Sequence, residues 1–283
     1  MRADLHTHST ASDGTDAPAA LVAAAARAGL DVVALTDHDT AAGWDEALAA
    51  APEGLEVVAG VEISAFSLEA SGAEVSLHLL AYWPDSDEPA LAAALLRLRE
   101  SRDTRAQRMV SALAADGVAV TWEQVRADAG PEGVVGRPHV ARALVRAGLL
   151  PDVSAAFTPA WIGGRGARYW AEKEELPAAD AIALVRGAGG VPVFAHPLAA
   201  RRGPTVTDTT IAALAAAGLA GLEVDHPDHL PAERAHLRGL ARDLGLVVTG
   251  GSDHHGTNKT TPLGAETTSA EALAALRAQA GTT

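Results

Sequence analysis

Short apolar segments rich in Val and Leu alternate with Ala-rich helical stretches along most of the 283-residue chain. Seven of these segments are candidate strands, at residues 3–8, 30–37, 55–63, 74–82, 191–195, 219–224 and 246–250. Strands that alternate with helices pair in parallel through right-handed crossovers. The pattern therefore predicts an α/β fold, a distorted seven-unit barrel of TIM-like type, with an open doubly wound sheet as the alternative.

The alternation is interrupted between residues 91 and 170, where helices and loops replace the strands. We interpret this region as an inserted helical subdomain that covers the substrate, on a barrel formed by residues 1–90 and 171–283. Its first helix carries five arginines, Arg97, Arg99, Arg102, Arg105 and Arg108. They form either a solvated helix face or a phosphate-binding surface, and the solvated face is favoured because surface charge runs are common.

Composition and charge exclude several classes of protein. With no Cys, any metal must be held by nitrogen and oxygen ligands. The formal net charge of -14 argues against a protein that coats nucleic acid or an anionic membrane. A small phosphorylated substrate remains compatible, because bound cations would reverse the local field. No signal segment or membrane-spanning run is evident, so we expect a cytoplasmic protein with no membrane partner, its oligomeric state left open.

Histidines and carboxylates recur where the candidate strands end. The first strand ends at His6 and His8, which a strand's period of two places on one face, and Asp13 follows. Comparable groups accompany later strands: His38, Glu62, His78, His196, Asp253 and His255. An isolated pair of histidines could be incidental. Such groups at six of seven strand ends favour a shared metal site, because buried ionisable side chains are costly unless paired or metal-bound.

The motifs HTH, SDG, TDHD, GVE, AHP and SDHH, in this order, resemble those of the PHP (polymerase and histidinol phosphatase) family of metal-dependent phosphoesterases. The resemblance covers the whole chain and implies the same distorted barrel. It is nearest to a group that carries an inserted helical domain and hydrolyses small nucleotide phosphates. The family's activity implies an enzyme, a phosphoric ester hydrolase.

The resemblance also implies three divalent ions, with manganese favoured and zinc or iron compatible with the ligand types. It implies nine ligands, grouped as His6, His8, Glu62 and Asp253 for one ion, Glu62, His78 and His196 for a second, and Asp13, His38 and His255 for a third. A metal-bound hydroxide would attack phosphorus, so no protein nucleophile is needed.

Residues beside the ligands have more than one interpretation. Either Asp37 or Asp39 orients His38, or both serve turns and helix caps. We expect His254, between two ligands, to point away from them. His236 lies on a predicted helix beside arginines and is expected at the surface.

Three segments are candidates for contact with the substrate. In the sequence GRPH, Arg137 and His139 open a helix whose free N–H groups suit a phosphate. Arg165 and Arg168 lie in a glycine-rich loop of the kind that closes over an anionic ligand. His226, after the sixth strand, could bind the substrate or act catalytically by protonating the leaving oxygen.

The expected substrate is a small nucleotide with a phosphate monoester, foremost a nucleoside 3',5'-bisphosphate, because arginines on both sides of the metals suit two phosphates. Alternatives are a histidinol phosphatase, a 5'-3' exonuclease on short oligonucleotides, an amidohydrolase, and a non-catalytic nucleotide-binding metal module. The acidic net charge predicts no stable nucleic-acid partner.

Overall fold

A computed structural model describes residues 1–130 and 133–281 of the chain. The strands of this part are β1 (Ala3–Thr7), β2 (Val32–Leu35), β3 (Glu56–Leu68), β4 (Glu74–Tyr82), β5 (Leu176–Pro177), β6 (Val191–Ala195), β7 (Gly221–Asp225) and β8 (Val247–Gly250). The α-helices are α1 (Pro18–Arg27), α2 (Trp44–Ala49), α3 (Pro89–Ala115), α4 (Trp122–Ala129), α5 (Arg137–Arg146), α6 (Ala178–Gly187), α7 (Asp208–Ala216), α8 (Pro231–Leu244) and α9 (Ala270–Arg277).

The strands form one nearly closed, barrel-shaped sheet. Seven of them are neighbours in the order β1-β2-β3-β4-β6-β7-β8, and β5 pairs with the far end of β3. Near its open edge the backbone N–H of His8 donates to the carbonyl of His254 at 2.9 Å, and Thr7 forms a parallel bridge with His254. The predicted distorted barrel is therefore confirmed over the doubly wound sheet, whose strand order is not sequential.

One part of the predicted strand pairing is wrong. β4 runs antiparallel to both of its neighbours, β3 and β6. The segment 69–73 between β3 and β4 is a tight turn, closed by a 2.8 Å hydrogen bond from Gly72 N to the Glu69 carbonyl. Such a turn has no room for the crossover helix that parallel pairing needs. The strand β5, only two residues long, was not predicted.

The region 91–170 divides its packing between two hydrophobic clusters. The first half of α3, through Leu98, packs in the cluster that covers the sheet and α6. The second half of α3, from Ala106 onward, packs with α4, α5 and the segment up to Tyr169 in a separate cluster. This is the packing expected where a helical segment extends from a barrel; the assignment of 91–170 as a substrate cover stays a prediction.

The arginines of α3 do not share one environment. Arg97 and Arg108 are exposed, as expected for a solvated face. Arg102 and Arg105, however, are each only 4% exposed, so the solvated interpretation is wrong for these two. Arg102 follows Leu98 by four residues, which places it on the buried face of the helix. Within the described residues, the helices lack any apolar stretch sufficient to cross a membrane.

Candidate metal centre

All nine predicted ligands lie in one cluster at the end of the barrel where the parallel strands finish. His6 is in β1, Glu62 in β3 and His78 in β4, and the others follow β1, β2, β6 and β8 directly. His78 lies in the middle of the antiparallel strand β4, where it pairs with Ala195 at the end of β6. The antiparallel strand therefore still delivers an imidazole to the same end of the sheet.

Glu62 lies at the centre of the cluster, 1% exposed, with five imidazoles around its carboxylate. Its Oε2 is 3.3 Å from His6 Nε2, 3.2 Å from His8 Nε2 and 3.0 Å from His38 Nδ1, and its Oε1 is 2.8 Å from His78 Nδ1 and 3.0 Å from His196 Nε2. A carboxylate that turns different oxygens to different imidazoles has the geometry of a bridging ligand.

Two further carboxylates complete the cluster. Asp253 Oδ1 lies 3.5 Å from His6 Nε2 and 3.3 Å from His8 Nε2. On the other side, Asp13 Oδ1 lies 3.2 Å from His255 Nε2, and Asp13 Oδ2 lies 3.8 Å from His38 Nε2. The ligand atoms of His8, Asp13, His38 and His255 all lie within 4.8 Å of one another. The structure therefore brings the nine residues together and adds His8 to the third grouping, but around Glu62 it groups His78 with His38 and His196 with His6.

Four ligand atoms are buried and lack a hydrogen bond of good geometry, although each lies within 3.9 Å of a charged partner in the cluster. They are His8 Nδ1, Asp13 Oδ1, His38 Nδ1 and His78 Nδ1. Leaving such atoms unsatisfied is costly, and an ion is one of the ordinary explanations. The imidazole and carboxylate donors, without sulfur, suit manganese, zinc or iron. These residues therefore fit a set of divalent ions.

The charge states in the cluster also suit cations. Burial opposes ionisation of Asp13 and Glu62, but the charge of His38 and other imidazoles lowers the pKa of both carboxyls well below their usual values. Burial and the charge of His8 lower the pKa of His255 to about 4, which leaves a neutral imidazole. Burial would lower the pKa of His8 as well, yet hydrogen bonds to Asp253 and Glu62 raise it to about 9. Metal ions would displace that proton.

Sequence reasoning missed Glu223, which holds two of the ligands. Its carboxylate in β7 is 1% exposed and lies 2.9 and 3.1 Å from His6 Nδ1, and it accepts the backbone N–H of His196 at 2.9 Å. A carboxylate on Nδ1 fixes the orientation of the ring, so that Nε2 faces Glu62. The signal in the sequence was an acidic residue within the apolar run Gly-Leu-Glu-Val.

Asp37 and Asp39 serve the backbone around the site. Asp37 accepts the Ser9 hydroxyl at 2.6 Å and the Ser12 hydroxyl at 2.6 Å, which fixes the turn that carries Asp13. Asp39 accepts the backbone N–H of Ser64 at 2.7 Å. Neither carboxylate bonds to the His38 ring among the described residues: Asp37 has the turn role, whereas Asp39 pairs with Arg102 at 2.5 Å and with Ser64 in β3.

The backbone at the strand ends is strained. Asp39, His196 and Asp253 have φ values of 54°, 34° and 51°, in the left-handed region that side chains other than glycine rarely adopt. Gly14 is also constrained, since a Cβ there would lie 2.3 Å from the carbonyl oxygen of His8. Strain of this kind collects at functional sites.

His226 is the predicted substrate residue that reaches the metal cluster. It is 1% exposed, and its Nε2 lies 3.4 Å from Asp253 Oδ2. Its Nδ1 accepts the backbone N–H of Asp228 at 3.0 Å, and its Nε2, on the side of the cluster, also lies 3.4 Å from Arg202 Nη2. His254 points away as expected, with Nδ1 2.8 Å from the carbonyl of Thr261. His236 is at the surface, 2.9 Å from Asp208.

The other predicted substrate residues have protein partners. Arg137 donates to the carbonyl of Gly163, and its guanidinium carbon lies 5.3 Å from the ring centroid of Phe157. His139 is 1% exposed and accepts the Gly136 N–H at 3.0 Å, which caps α5. Arg165 and Arg168 are exposed and pair with Glu74 at 3.5 Å and with Asp116 at 2.8 Å, respectively. Among the described residues, these two arginines contact none of the histidines of the cluster, so their substrate roles stay predictions.

Two cations at the edge of the cluster were also missed. Arg202 donates to Asp253 Oδ2 at 2.5 Å and lies 2.7 Å from Asp228 Oδ2. Lys259 donates to the same Asp253 oxygen at 2.5 Å. Both are only one-third exposed, so they add positive charge beside the ligands. Their signal in the sequence was weak, because single basic residues in loops are common.

Comparison with known proteins identifies the family to which the chain belongs. Residues 4–112 match the PHP domain. The chain is 35% identical over 257 residues to a 3',5'-nucleoside bisphosphate phosphatase of Chromobacterium violaceum, covering 89% of this chain and 86% of that protein. It is also 35% identical over 253 residues to a 5'-3' exoribonuclease of Haemophilus influenzae, covering 89% of each.

A solved structure resembles the whole molecule. A protein of Bifidobacterium adolescentis that has been assigned as a metal-dependent phosphoesterase superposes with a TM-score of 0.91 at 38% identity, covering 98% of this chain and 96% of that one. The resemblance therefore includes the barrel and the segment 91–170 together. The chain belongs to the PHP family of metal-dependent phosphoesterases and is a phosphoric ester hydrolase.

Proposed function

We propose that the protein hydrolyses a phosphate monoester on a small nucleotide, specifically a nucleoside 3',5'-bisphosphate. The observation that carries the proposal is the buried cluster of imidazoles and carboxylates around Glu62, which has basic residues on two sides. Arg202 and Lys259 lie on the side of Asp253. Arg102 reaches the other side through Asp39, beside His38. The resemblance to the Chromobacterium violaceum bisphosphate phosphatase supports the same substrate.

The metal ions are part of this proposal. Three ions, with manganese as the favoured metal, would be held by the nine residues in the predicted groupings. His8 would be a ligand of two of these ions. Ions in these positions would supply Lewis-acid charge that neutralises phosphoryl oxygens and makes water a nucleophile at neutral pH.

The chain's own residues position the substrate and move a proton. Arg202, already directed at Asp253, would bind phosphoryl oxygens through its remaining N–H groups. His226, whose Nε2 faces the cluster, would as the imidazolium donate its Nε2 proton to the leaving oxygen, so that the nucleoside departs as an alcohol and the ring is left neutral. His226 is the catalytic residue of the proposal outside the ligand set.

The experiment is to measure the metal content of the purified protein and phosphate release from a panel. The panel contains adenosine 3',5'-bisphosphate, histidinol phosphate, short 5'-phosphorylated oligonucleotides and p-nitrophenyl phosphate. We expect selective turnover of the bisphosphate by protein with bound manganese. His226→Asn should slow the bisphosphate reaction more than the p-nitrophenyl phosphate reaction, because p-nitrophenolate leaves without protonation. A manganese-loaded protein that hydrolyses simple esters but not the bisphosphate would overturn the substrate assignment.

A 5'-3' exonuclease acting on short oligonucleotides is the second candidate. The observation that favours it is the equal, 35% identity to the Haemophilus influenzae exoribonuclease. Release of mononucleotides from short RNA at a higher kcat/KM than phosphate from the bisphosphate would select this activity. The net charge of -14 still argues against a long or stable nucleic-acid partner.

A further inference from the structure

The barrel has a seam between β1 and β8, the two strands at the ends of the sheet order. Side chains help to close it: the carboxylate of Asp4 in β1 accepts the backbone N–H of Ser252 at 2.9 Å and that of Gly264 at 2.8 Å. Two predicted metal ligands lie on opposite sides of this seam, Asp13 after β1 and His255 after β8. The geometry of this part of the metal centre therefore depends on how the seam is closed.

One short segment on the β8 side contacts Asp13 at two points. His255 Nε2 lies 3.2 Å from Asp13 Oδ1. Asn258, three residues later, donates from Nδ2 to the backbone carbonyl of Asp13 at 2.7 Å. The residues after His255, Gly256–Asn258, form a single 3-10 turn. The same turn therefore places a metal ligand beside the Asp13 carboxylate and a hydrogen-bond donor on the Asp13 backbone.

This turn also packs closely against Thr15, two residues beyond Asp13. The backbone N–H of Thr257 donates to Thr15 Oγ1 at 2.8 Å. Gly256 has a φ of 63°, and a Cβ there would lie 1.9 Å from the same oxygen. Only glycine is compatible with both the conformation and the space. The two sides of the seam are therefore in backbone-to-side-chain contact next to the ligand.

Asp13 is a ligand that needs such positioning. Its Oδ1 is buried without a hydrogen bond of good geometry. Asp37 fixes the part of the turn that precedes Asp13, through the hydroxyls of Ser9 and Ser12. The hydrogen bond to Asp13 itself comes from Asn258, across the seam. Side chains that orient a ligand in this way commonly contribute to metal affinity.

We propose that Asn258 is a positioning residue for one ion of the centre, the ion that would be bound by Asp13, His38, His255 and His8. It acts through the backbone of Asp13 and is not itself a ligand. This inference rests on the three-ion set that is part of the proposed function. Glu62, the ligand predicted for the other two ions, lies in β3, away from the seam. Loss of Asn258 should therefore weaken one ion and leave the other two in place.

The first test measures the affinity of each manganese ion by equilibrium titration of the metal-free protein. Asn258→Ala should weaken one ion roughly 10- to 100-fold and change the other two less than about 2-fold. Thr15→Ala, which removes the acceptor of the Thr257 N–H, should weaken the same ion. Thr260→Ala, at an exposed position of the same loop, is the control and should match the wild type. Equal weakening of all ions, or of none, would overturn the inference.

The second test separates positioning from a structural role. Without metal, the Tm of Asn258→Ala should lie within about 4 °C of the metal-free wild type, because one ordinary hydrogen bond is lost. Phosphate release by the variant should fall at limiting manganese and recover in excess manganese. Activity that excess manganese does not restore would reject the inference.

The wild type supplies the remaining outcomes. If it binds fewer than three manganese ions, both the three-ion set and the role of Asn258 are rejected. If it binds three ions but does not hydrolyse the bisphosphate, the proposed substrate is rejected and the role of Asn258 stands, because that role is measured by metal affinity.

Discussion

At the scale of single residues, the metal centre depends on side chains that hold its ligands. His6 has one ring nitrogen facing Glu62, at 3.3 Å, and the other bound to Glu223, at 2.9 Å. Glu223 also fixes the backbone of His196. Burial opposes ionisation of Glu223, but the charge of His6 outweighs it and lowers the pKa of Glu223. One charged carboxylate therefore orients two ligands without being a predicted ligand itself.

We expect Glu223→Gln to weaken manganese binding roughly 10- to 100-fold, as losses of groups that orient metal ligands do. The amide keeps the shape but loses the charge that stabilises the orientation of His6. Metal content at limiting manganese and kcat at saturating manganese measure the change. Glu271→Gln, at an exposed position of α9, is the control and should match the wild type. Unchanged manganese affinity in Glu223→Gln would contradict this role.

At the scale of elements, α3 is fastened to the barrel by one buried ion pair. Arg102 donates to Asp39 after β2 and to Ser64 in β3, and Leu98 packs in the barrel's hydrophobic cluster one turn earlier. The same helix carries Arg105 and, further on, the core of the 91–170 segment. The pair therefore sets where the inserted segment lies relative to the ligands.

We expect Arg102→Met to lower the free energy of unfolding by about 3–5 kcal/mol, because it leaves the Asp39 carboxylate buried without its cation. Arg97→Met, which removes an exposed arginine 3.9 Å from Glu174, should cost less than about 1 kcal/mol. Urea denaturation of both variants gives the comparison. In the double variant with Asp39→Asn, much of the loss should be recovered. Equal costs for the two arginines would contradict the anchoring role.

At the scale of the whole molecule, the metal centre closes the barrel at one end. Its ligands come from β1, β3 and β4 and from segments after β1, β2, β6 and β8, so bound ions would connect most of the sheet. A ligand that binds only the folded chain stabilises the fold by mass action. Metal binding and global stability should therefore be coupled.

We expect removal of metal with a chelator to lower Tm by at least about 5 °C, and manganese to restore it. An ion at 100 times its Kd adds about 2.7 kcal/mol, and each kcal/mol shifts Tm by about 2–4 °C in chains of this size. Scanning calorimetry measures the shift. His236→Ala, at the surface, should respond like the wild type, and His196→Ala should respond less. A Tm that does not change after verified metal removal would contradict the coupling.

The sequence by itself predicted the barrel and a shared metal site, because strand-helix alternation and polar groups at strand ends are local patterns, and the resemblance to the PHP family implied the nine individual ligands. It could not decide that β4 runs antiparallel, since His78 fits either direction. Only the tertiary structure decided which carboxylate holds His6 and which arginines of α3 are buried. Glu223 lies 217 residues from His6, the ligand that it holds. Arg105 lies on a helix whose orientation only packing fixes. Contacts of that kind depend on the whole chain being folded, whereas a ligand motif depends on a few neighbouring residues.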